Sequence, residues 1–383
     1  MLPAVRPPLA VVGIVVFVAL ASGCSSGSSK KSATTPTTNA SAYRLDDTLR
    51  MDQVQVLASH NSYHGRPYSQ VLDALEKASP ALGLTLDYNH APLPQQFDLG
   101  VRQIELDVWD DPQGGKYAHP SFAEKNGVKI PDRPDMNAPG YKVIHQADVD
   151  TNSTCLTFVA CLQLLKTWSD AHPGHVPMMV QIEMKDEKVT EAMFQRLEKE
   201  INSVIPRDNI VTPDDVRAGA PTLGQRVSRH GWPTLAQTRG KVYFTLDNEG
   251  LRNGYLEGHP SLQGRLIFTP SQPGQDDAAF AKLNDPTGDA AKIKAALAAH
   301  MIVRTRADAD TAQARRDDFT DANAALSQGA QIVSTDYEQP DPTLHNGYTV
   351  KIPGGTPARC DPVTAPPGCT PADVENPDHL TTR

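Results

Sequence analysis

Residues 101–108, V-R-Q-I-E-L-D-V, place the strongest constraint on what this chain can fold into. The apolar positions predict a buried β-strand, since the run follows Gly100 and stops at the Asp-Asp-Pro turn of 110–112. Side chains alternate along a strand, so Glu105 and Asp107 share one face. Two carboxylates on one face of a buried strand are unfavourable unless positive charge lies between them. A hard cation with oxygen ligands, calcium or magnesium, explains the pair better than the alternative of two structural ion pairs.

The composition limits the class of protein and its partners. The chain has 383 residues, 39% of them hydrophobic and 21% charged, which suits one large domain or two smaller ones with a full core. A formal net charge of -9 argues against a nucleic-acid partner, because phosphate backbones bind basic surfaces. The same acidity disfavours purely electrostatic docking on anionic lipid but leaves a lipid substrate open.

The first 44 residues are predicted to be a processing and anchoring segment outside the fold. Arg6 precedes an apolar stretch over 9–20, which is shorter than the roughly 20 residues of a membrane-spanning helix. The next residues, Ala-Ser-Gly-Cys, end at Cys24 and resemble a bacterial lipobox, in which the cysteine is lipidated. We therefore expect a signal peptide over 1–23, a lipidated Cys24 and a flexible tether over 24–44. This predicts an exported bacterial lipoprotein, anchored on the outer face of the cytoplasmic membrane or released; plain secretory cleavage is the alternative.

Four cysteines remain in the mature chain. They are Cys155, Cys161, Cys360 and Cys369. An even count in an exported protein favours disulfides over a metal site. The close spacings suggest the pairs Cys155–Cys161 and Cys360–Cys369, although sequence alone does not prove this pairing.

Eight strand-like segments alternate with helical patterns along the rest of the chain. The segments are 54–58, 101–108, 141–145, 178–185, 241–247, 265–269, 301–306 and 331–337. Among the stretches between them, 290–300 and 312–328 are alanine-rich and favour helices. This alternation predicts an α/β fold, a (β/α)8 TIM-type barrel over 45–350, followed by an irregular proline-rich tail over 351–383. The doubly wound open sheet is the alternative.

Polar side chains lie at the ends of several of these strands. They are Glu105, Asp107, His145, Glu183, Lys185 and Asp247. The carboxyl ends of barrel strands meet at one face and form the active site, so these residues are expected to come together. Asp247 and Asp336 are candidates to orient a histidine or to bind a sugar hydroxyl, with capping of the following loop as the alternative.

Two histidines follow strands on either side of the acidic pair in sequence. His60 ends the first predicted strand and His145 the third. Two imidazoles beside a cation suit phosphodiester cleavage, because one can stabilise charge or deprotonate while the other donates a proton to the leaving oxygen. The remaining histidines singled out, in loops or at helix ends, are predicted to be solvated: His64, His90, His119, His172 and His175.

At these strand ends the chain resembles a known enzyme family. The motifs S-H-N-S-Y over 59–63, I-E-L-D-V over 104–108, V-I-H over 143–145 and Q-I-E-M-K over 181–185 occur in the family's order. They resemble the catalytic-half motifs of bacterial calcium-dependent phosphoinositide-specific phospholipases C, which are PLC-like phosphodiesterases of the TIM-barrel superfamily. A looser likeness continues over 241–337. The resemblance implies a phosphoric diester hydrolase or lyase that acts on lipid.

The resemblance also implies a set of site residues. The calcium ligands would be Asn61, Glu105, Asp107 and Glu183, which offer an amide oxygen and carboxylates of the kind Ca²⁺ prefers. Lys185 shares a face with Glu183 and is a candidate contact for the phosphate or the inositol, with a solvated strand-end lysine as the alternative. Arg304 and Tyr337 are candidates for inositol recognition.

The same resemblance implies a division of catalytic roles. His145 would protonate the diacylglycerol oxygen, and His60 would bind the pentacoordinate phosphate. Asp107 or Glu105 would help to deprotonate the attacking inositol hydroxyl. The products would be diacylglycerol and a cyclic inositol phosphate. The partners expected are a phosphatidylinositol-like lipid and, through the anchor, a membrane, with the protein itself a monomer.

Two other functions are compatible with the pattern. A glycerophosphodiester phosphodiesterase-like barrel also has two histidines, a Glu-x-Asp strand and a divalent cation, but that family typically has His-Arg-Gly where this chain has His60-Asn61-Ser62. The second alternative is a non-catalytic barrel lipoprotein that binds calcium or a sugar. The presence of both histidines and all four ligands argues against it.

Overall fold

The computed structural model describes residues 43–150, 152–355 and 357–381. The predicted signal peptide over 1–23, the lipidated Cys24 and the predicted tether up to residue 42 lie outside the described residues. Within the described part, no helix combines the length and the apolar character that crossing a bilayer requires.

The described strands form one sheet that curls into a nearly closed barrel. They are β1 Val54–Ser59, β2 Val101–Trp109, β3 Lys142–Val143, β4 Met178–Met184, β5 Val242–Leu246, β6 Ile267–Phe268, β7 Phe280–Lys282, β8 Ile302–Arg306, β9 Ile332–Thr335 and β10 Ala358–Cys360. Eight of them pair in the order β6-β5-β4-β2-β1-β9-β8-β7, all in parallel. A parallel bridge between Pro270 and Phe280 joins the two ends of this path. The predicted α/β barrel is confirmed.

Helices lie between the barrel strands, and the last α-helix described follows β10. They are α1 Ser69–Ala78, α2 Pro80–Leu86, α3 Leu93–Asp98, α4 Ser121–Lys125, α5 Phe158–Ala171, α6 Glu191–Val204, α7 Pro213–Arg217, α8 Leu223–His230, α9 Leu235–Thr238, α10 Arg252–Tyr255, α11 Ala290–Ala298, α12 Ala312–Arg316, α13 Thr320–Ser327 and α14 Pro371–Val374. The long α5 begins where the Thr157 hydroxyl accepts a hydrogen bond from the Ala160 N–H. Its apolar face, including Phe158, Leu162 and Leu165, is buried in the core, as helical periodicity requires.

One predicted barrel strand is wrong, and one barrel strand was not predicted. The segment 141–145 contributes only β3, which pairs antiparallel with the end of β2, Val143 opposite Val108. The eighth strand of the barrel is instead β7, which pairs with β8. The place of 141–145 was mispredicted because hydrophobic alternation does not distinguish a parallel from an antiparallel partner. Strand β7 was missed because its three residues are too few to show a period.

The helix predicted over 312–328 is two helices. Asp317 adopts a left-handed backbone conformation, with φ of 53°, and ends α12. The carboxylate of Asp318 then accepts a hydrogen bond from the Thr320 N–H at 3.0 Å, which satisfies a free donor at the start of α13. Alanine content favours helix along the whole stretch, but this local turn interrupts it.

The C-terminal segment is attached to the barrel rather than simply irregular. Strand β10 pairs antiparallel with β1, and both suggested disulfides, Cys155–Cys161 and Cys360–Cys369, are present. Glu375 is buried and forms an ion pair with Arg102, the second residue of β2. At the other end of the described chain, Tyr43 is buried beneath the guanidinium of Arg239. Both ends of the described part of the chain therefore pack against the fold, at residues outside the predicted boundaries of 45–350.

Candidate active site

Three carboxylates meet at the carboxyl end of the barrel. The parallel register of β2 and β4 sets Asp107 beside Glu183, and Glu105 lies two residues earlier on the same face of β2. One oxygen from each of the three side chains lies within 4.8 Å of the others. Glu105 and Asp107 are buried, while Glu183 is half-buried. We call these three residues the acidic triad.

Asn61 is placed next to the acidic triad by its neighbour in the chain. The Ser62 N–H donates to the Glu105 carbonyl at 3.0 Å, and the Ser62 hydroxyl accepts from the Glu105 N–H at 2.8 Å. Asn61 itself follows β1 in a left-handed conformation, with φ of 46°. Its amide nitrogen donates to the Tyr88 hydroxyl at 3.2 Å. The amide oxygen is buried and has no hydrogen-bond donor among the described residues.

Two carboxylates of the acidic triad have raised pKa values, although Arg304 and Lys185 lie beside them. Burial, and then the charge of Glu183, raise the pKa of Asp107 well above its ordinary value. Burial raises the pKa of Glu105 to about 7, although Arg304 acts in the opposite direction. Neither carboxylate oxygen of Asp107 accepts a hydrogen bond from a described residue. Buried oxygens without donors, in a set made only of oxygens, fit a hard dication such as Ca²⁺.

Lys185 supplies a local cation to the triad. Its ammonium donates to Glu183 at 3.1 Å and lies 3.2 Å from an Asp107 oxygen, where it forms an ion pair without hydrogen-bond geometry. Burial disfavours its charge, but the two carboxylates outweigh that effect and raise the pKa of Lys185. Lys185 therefore contacts two of the three carboxylates that a metal ion would bind.

Arg304 and Tyr337 are less accessible than Lys185. The Arg304 guanidinium is buried and donates to Glu105 at 2.6 Å and to the Ser334 hydroxyl at 3.1 Å. Tyr337 is also buried, and its ring packs edge-on against Tyr348 with centroids 5.5 Å apart. Contact of these two residues with substrate stays a prediction.

His60 has a fixed hydrogen-bonding pattern. Its Nδ1 lies 2.7 Å from a carboxylate oxygen of Asp336, and its Nε2 lies 3.1 Å from Nη1 of Arg306. Since a carboxylate accepts and a guanidinium donates, His60 must be neutral with its proton on Nδ1. Burial and the Arg306 charge lower its pKa to about 3, which agrees with that assignment. The Nε2 atom also lies 3.8 Å from Glu105 of the triad.

His145 reaches the same end of the barrel by a different route from the one predicted. It lies two residues after β3, which pairs with the carboxyl end of β2. Its backbone N–H donates to Asp150 at 3.3 Å, while its Nδ1 is buried without a hydrogen-bond partner in the described part of the chain. Burial, and then the charge of Lys185, lower the pKa of His145 to about 4. The imidazole is therefore neutral before substrate binds.

Several residues at this site were missed or misplaced by sequence reasoning. Asp336, a candidate to orient a histidine, does contact His60, whereas Asp247 bonds Gln181 and Lys282 instead. Arg306 was missed, although it lies two residues after Arg304 and so shares its face of β8. The histidines predicted to be solvated divide into three that are fully buried, His64, His90 and His175, one half-buried, His172, and one exposed, His119.

Fold and site together define a class of protein: a (β/α)8 barrel with an acidic cation centre beside two imidazoles at the carboxyl ends of its strands. The chain belongs to the family described as "Phosphoinositide phospholipase C, Ca2+-dependent", whose sequence model matches residues 49–362. The family depends on calcium, and the acidic triad can hold the ion.

Solved structures support the same fold. The calcium-dependent phosphoinositol-specific phospholipase C of a Gram-negative Pseudomonas species, in its apo form, superposes with a TM-score of 0.51 at 19% identity and covers 83% of this chain and 97% of its own. Its myo-inositol complex gives a TM-score of 0.51 at 19% identity, with coverage of 82% and 96%. No curated protein matches the chain. At this identity the structural likeness shows the fold alone.

Proposed function

We propose that this protein is a phosphodiesterase that cleaves phosphatidylinositol-type lipids to diacylglycerol and a cyclic inositol phosphate. The observation that supports this most is that the acidic triad, in which both Asp107 oxygens lack a donor among the described residues, lies within 3.8 Å of the His60 imidazole. That combination suits a phosphodiester, which carries negative charge and needs proton transfer on both sides of the phosphorus.

The metal ligands we propose are Asn61 and the acidic triad. When bound, calcium would offset the charge of the phosphate and lower the pKa of the attacking inositol hydroxyl. Arg304 holds Glu105 in place through its hydrogen bond of 2.6 Å. We keep Lys185, the more accessible of the predicted substrate contacts, as a contact for the substrate phosphate.

His60 is the group that we propose accepts the proton of the attacking hydroxyl. Its Nδ1–H is held by Asp336, so its Nε2 carries the free electron pair. Arg306 donates to that atom at 3.1 Å in the resting site and has to release it before the proton arrives. As the imidazolium forms, the neighbouring Asp336 carboxylate stabilises it. This differs from the sequence-based expectation, in which His60 only bound the phosphate and Glu105 or Asp107 helped to take the proton.

His145 is the group that we propose donates a proton to the leaving oxygen. As the inositol oxygen bonds to phosphorus, the bond from phosphorus to the diacylglycerol oxygen breaks, and that oxygen takes the proton from His145. Because the resting imidazole is neutral, it has to be protonated in the substrate complex. The anionic phosphate and the nearby Asp150 both favour the protonated form.

The location of the protein is part of the same proposal. An exported lipoprotein, anchored through Cys24 by a tether that ends before the packed Tyr43, would be held close to a bilayer that contains its substrate. We expect the enzyme to act as a monomer, since the proposed site is built from one chain.

Product analysis tests the proposed reaction. The purified protein is incubated with phosphatidylinositol vesicles, or with a soluble glycerophosphodiester, in calcium or in excess chelator, and the products are followed by phosphorus NMR. We expect a cyclic phosphodiester from the lipid, formed only in calcium. Turnover of the glycerophosphodiester alone would favour the related phosphodiesterase, and equal turnover in chelator would remove the metal from the mechanism.

Replacing Lys185 by methionine is expected to tighten calcium binding by roughly tenfold, because an ammonium that competes for two of the three carboxylates is removed. Calorimetric titration of the lipid-free protein measures the change. Lys116→Met is the matched control. The Lys116 ammonium lies 3.9 Å from a carboxylate oxygen of Asp186, the residue that follows Lys185 in the chain, and it does not contact the triad. Weaker calcium binding by K185M than by wild type would mean that Lys185 organises the carboxylates rather than competing with the ion.

A further inference from the structure

A short segment between α2 and α3 supports two consecutive residues of the site. It includes Tyr88 and His90, which are both buried. Tyr88 contacts the side chain of Asn61, and His90 contacts the backbone of His60. Neither residue belongs to the motifs on which the family resemblance rests.

The contact with Tyr88 engages the nitrogen end of the Asn61 amide. An amide offers an oxygen at one end and an NH₂ group at the other, and the two are nearly equal in size. The Asn61 nitrogen donates to the Tyr88 hydroxyl at 3.2 Å, which leaves the oxygen buried without a donor. If the hydroxyl were absent, the nitrogen would lose its acceptor and the amide could rotate. In the orientation observed, the hydroxyl accepts from the nitrogen, and the oxygen stays available to a cation.

The contact with His90 holds the backbone that carries His60. The two ring nitrogens of His90 face a Glu338 carboxylate oxygen at 2.8 Å and the His60 carbonyl at 2.7 Å. Both partners accept hydrogen bonds, so both nitrogens of His90 carry a proton and the ring is an imidazolium. The Glu338 charge raises the pKa of His90 against the effect of burial, in agreement with this assignment.

Aromatic packing makes the segment rigid. The Tyr88 ring stacks on His64 with centroids 4.2 Å apart, and it meets His90 edge-on at 5.5 Å. The three rings are buried together. A side chain that is held on two sides in this way orients its contacts better than one that is free to change rotamer.

We infer that Tyr88 and His90 are positioning residues with separate effects: Tyr88 orients the Asn61 amide for calcium, and His90 orients His60 for proton transfer. The inference rests on the proposed function, because it assigns Tyr88 to calcium binding and His90 to proton transfer. Calcium affinity and kcat should therefore respond separately to changes in Tyr88 and His90, which a purely structural role for the segment would not allow.

The test compares Tyr88→Phe with His90→Gln. We expect Y88F to weaken calcium binding by about tenfold in calorimetry without lipid, and to recover most of its kcat when calcium is saturating. We expect H90Q to bind calcium as the wild type does, and to lose about tenfold in kcat at saturating calcium with KM unchanged. Because H90Q leaves Glu338 with a weaker partner, Glu338→Gln is a second variant for the same contact, with a loss of kcat in the same direction.

Two variants of equally buried groups serve as controls. Tyr141 donates its hydroxyl to the Met193 carbonyl at 2.8 Å, and His175 bonds the Ser169 hydroxyl near the start of β4, away from the carboxyl ends of the strands. We expect Y141F and H175Q to change thermal stability but neither calcium affinity nor kcat at saturating calcium.

Four outcomes would overturn the inference. Calcium affinity of Y88F equal to that of wild type would remove the role of Tyr88. Unchanged kcat in both H90Q and E338Q, or a parallel loss of calcium affinity in H90Q and Y88F, would remove the separate role of His90. A wild-type protein that neither binds calcium nor cleaves phosphatidylinositol would overturn the proposed function as well, so the two failures are distinguishable.

Discussion

Replacement of Asp336 by asparagine is expected to lower kcat by roughly 10³-fold and to leave calcium affinity within about twofold of wild type. In the wild type, a carboxylate oxygen of Asp336 lies 2.7 Å from Nδ1 of His60. The amide oxygen of the variant can still accept that hydrogen bond. It cannot supply the negative charge that stabilises the imidazolium as the proton arrives. The loss therefore falls on the proton-transfer step and not on metal binding.

Steady-state kinetics with phosphatidylinositol at saturating calcium, together with calorimetry, would measure both effects of D336N. Asp341→Asn is the control, because Asp341 is also a largely buried aspartate but forms an ion pair with Arg66 rather than with a histidine. Its kcat should stay within about twofold of wild type. A D336N enzyme that retained more than a tenth of the wild-type kcat would mean that His60 does not take the proton with help from Asp336.

Replacement of Asp107 by asparagine is expected to weaken calcium binding by at least 100-fold, since it removes a charged ligand from the centre of the acidic triad. Activity at moderate calcium should fall by about 10³-fold and recover in part at high calcium.

Without calcium, the D107N variant should unfold at a higher temperature than wild type. In the wild type, burial and the charge of Glu183 raise the folded-state pKa of Asp107. The charge of Asp107 therefore opposes folding at neutral pH. The wild-type fold should gain stability as the pH falls through that raised pKa.

Thermal unfolding with and without calcium separates these contributions in D107N. Wild type should gain in Tm when calcium is added, because the ion binds only the folded state, and D107N should gain little. Asp110→Asn is the control: Asp110 lies just beyond the same strand but pairs with Arg196. If D107N showed the full calcium-induced rise in Tm, Asp107 would not be a ligand.

The sequence alone was enough to predict the acidic triad and the type of fold. Alternation along β2 requires that Glu105 and Asp107 share a face, whatever the rest of the chain does. The strand-end position of Glu183 places it at the same end of a parallel barrel. Local spacing also suggested the two disulfides, whose cysteines are 6 and 9 residues apart in the sequence. All these features depend on residues close together in the chain or on the general geometry of a parallel barrel.

The partners of the site residues were decided only by the tertiary structure. His60 pairs with Asp336 across a sequence separation of 276, and Arg304 pairs with Glu105 across 199. These contacts depend on β1, β9 and β8 being neighbours in the sheet, and on the length and direction of each side chain, which no local period encodes. The same reason explains why the role of His90 was not predicted. In the sequence, His90 is a single polar residue in a loop. Its burial against Glu338 depends on where a segment almost 250 residues away packs against the barrel.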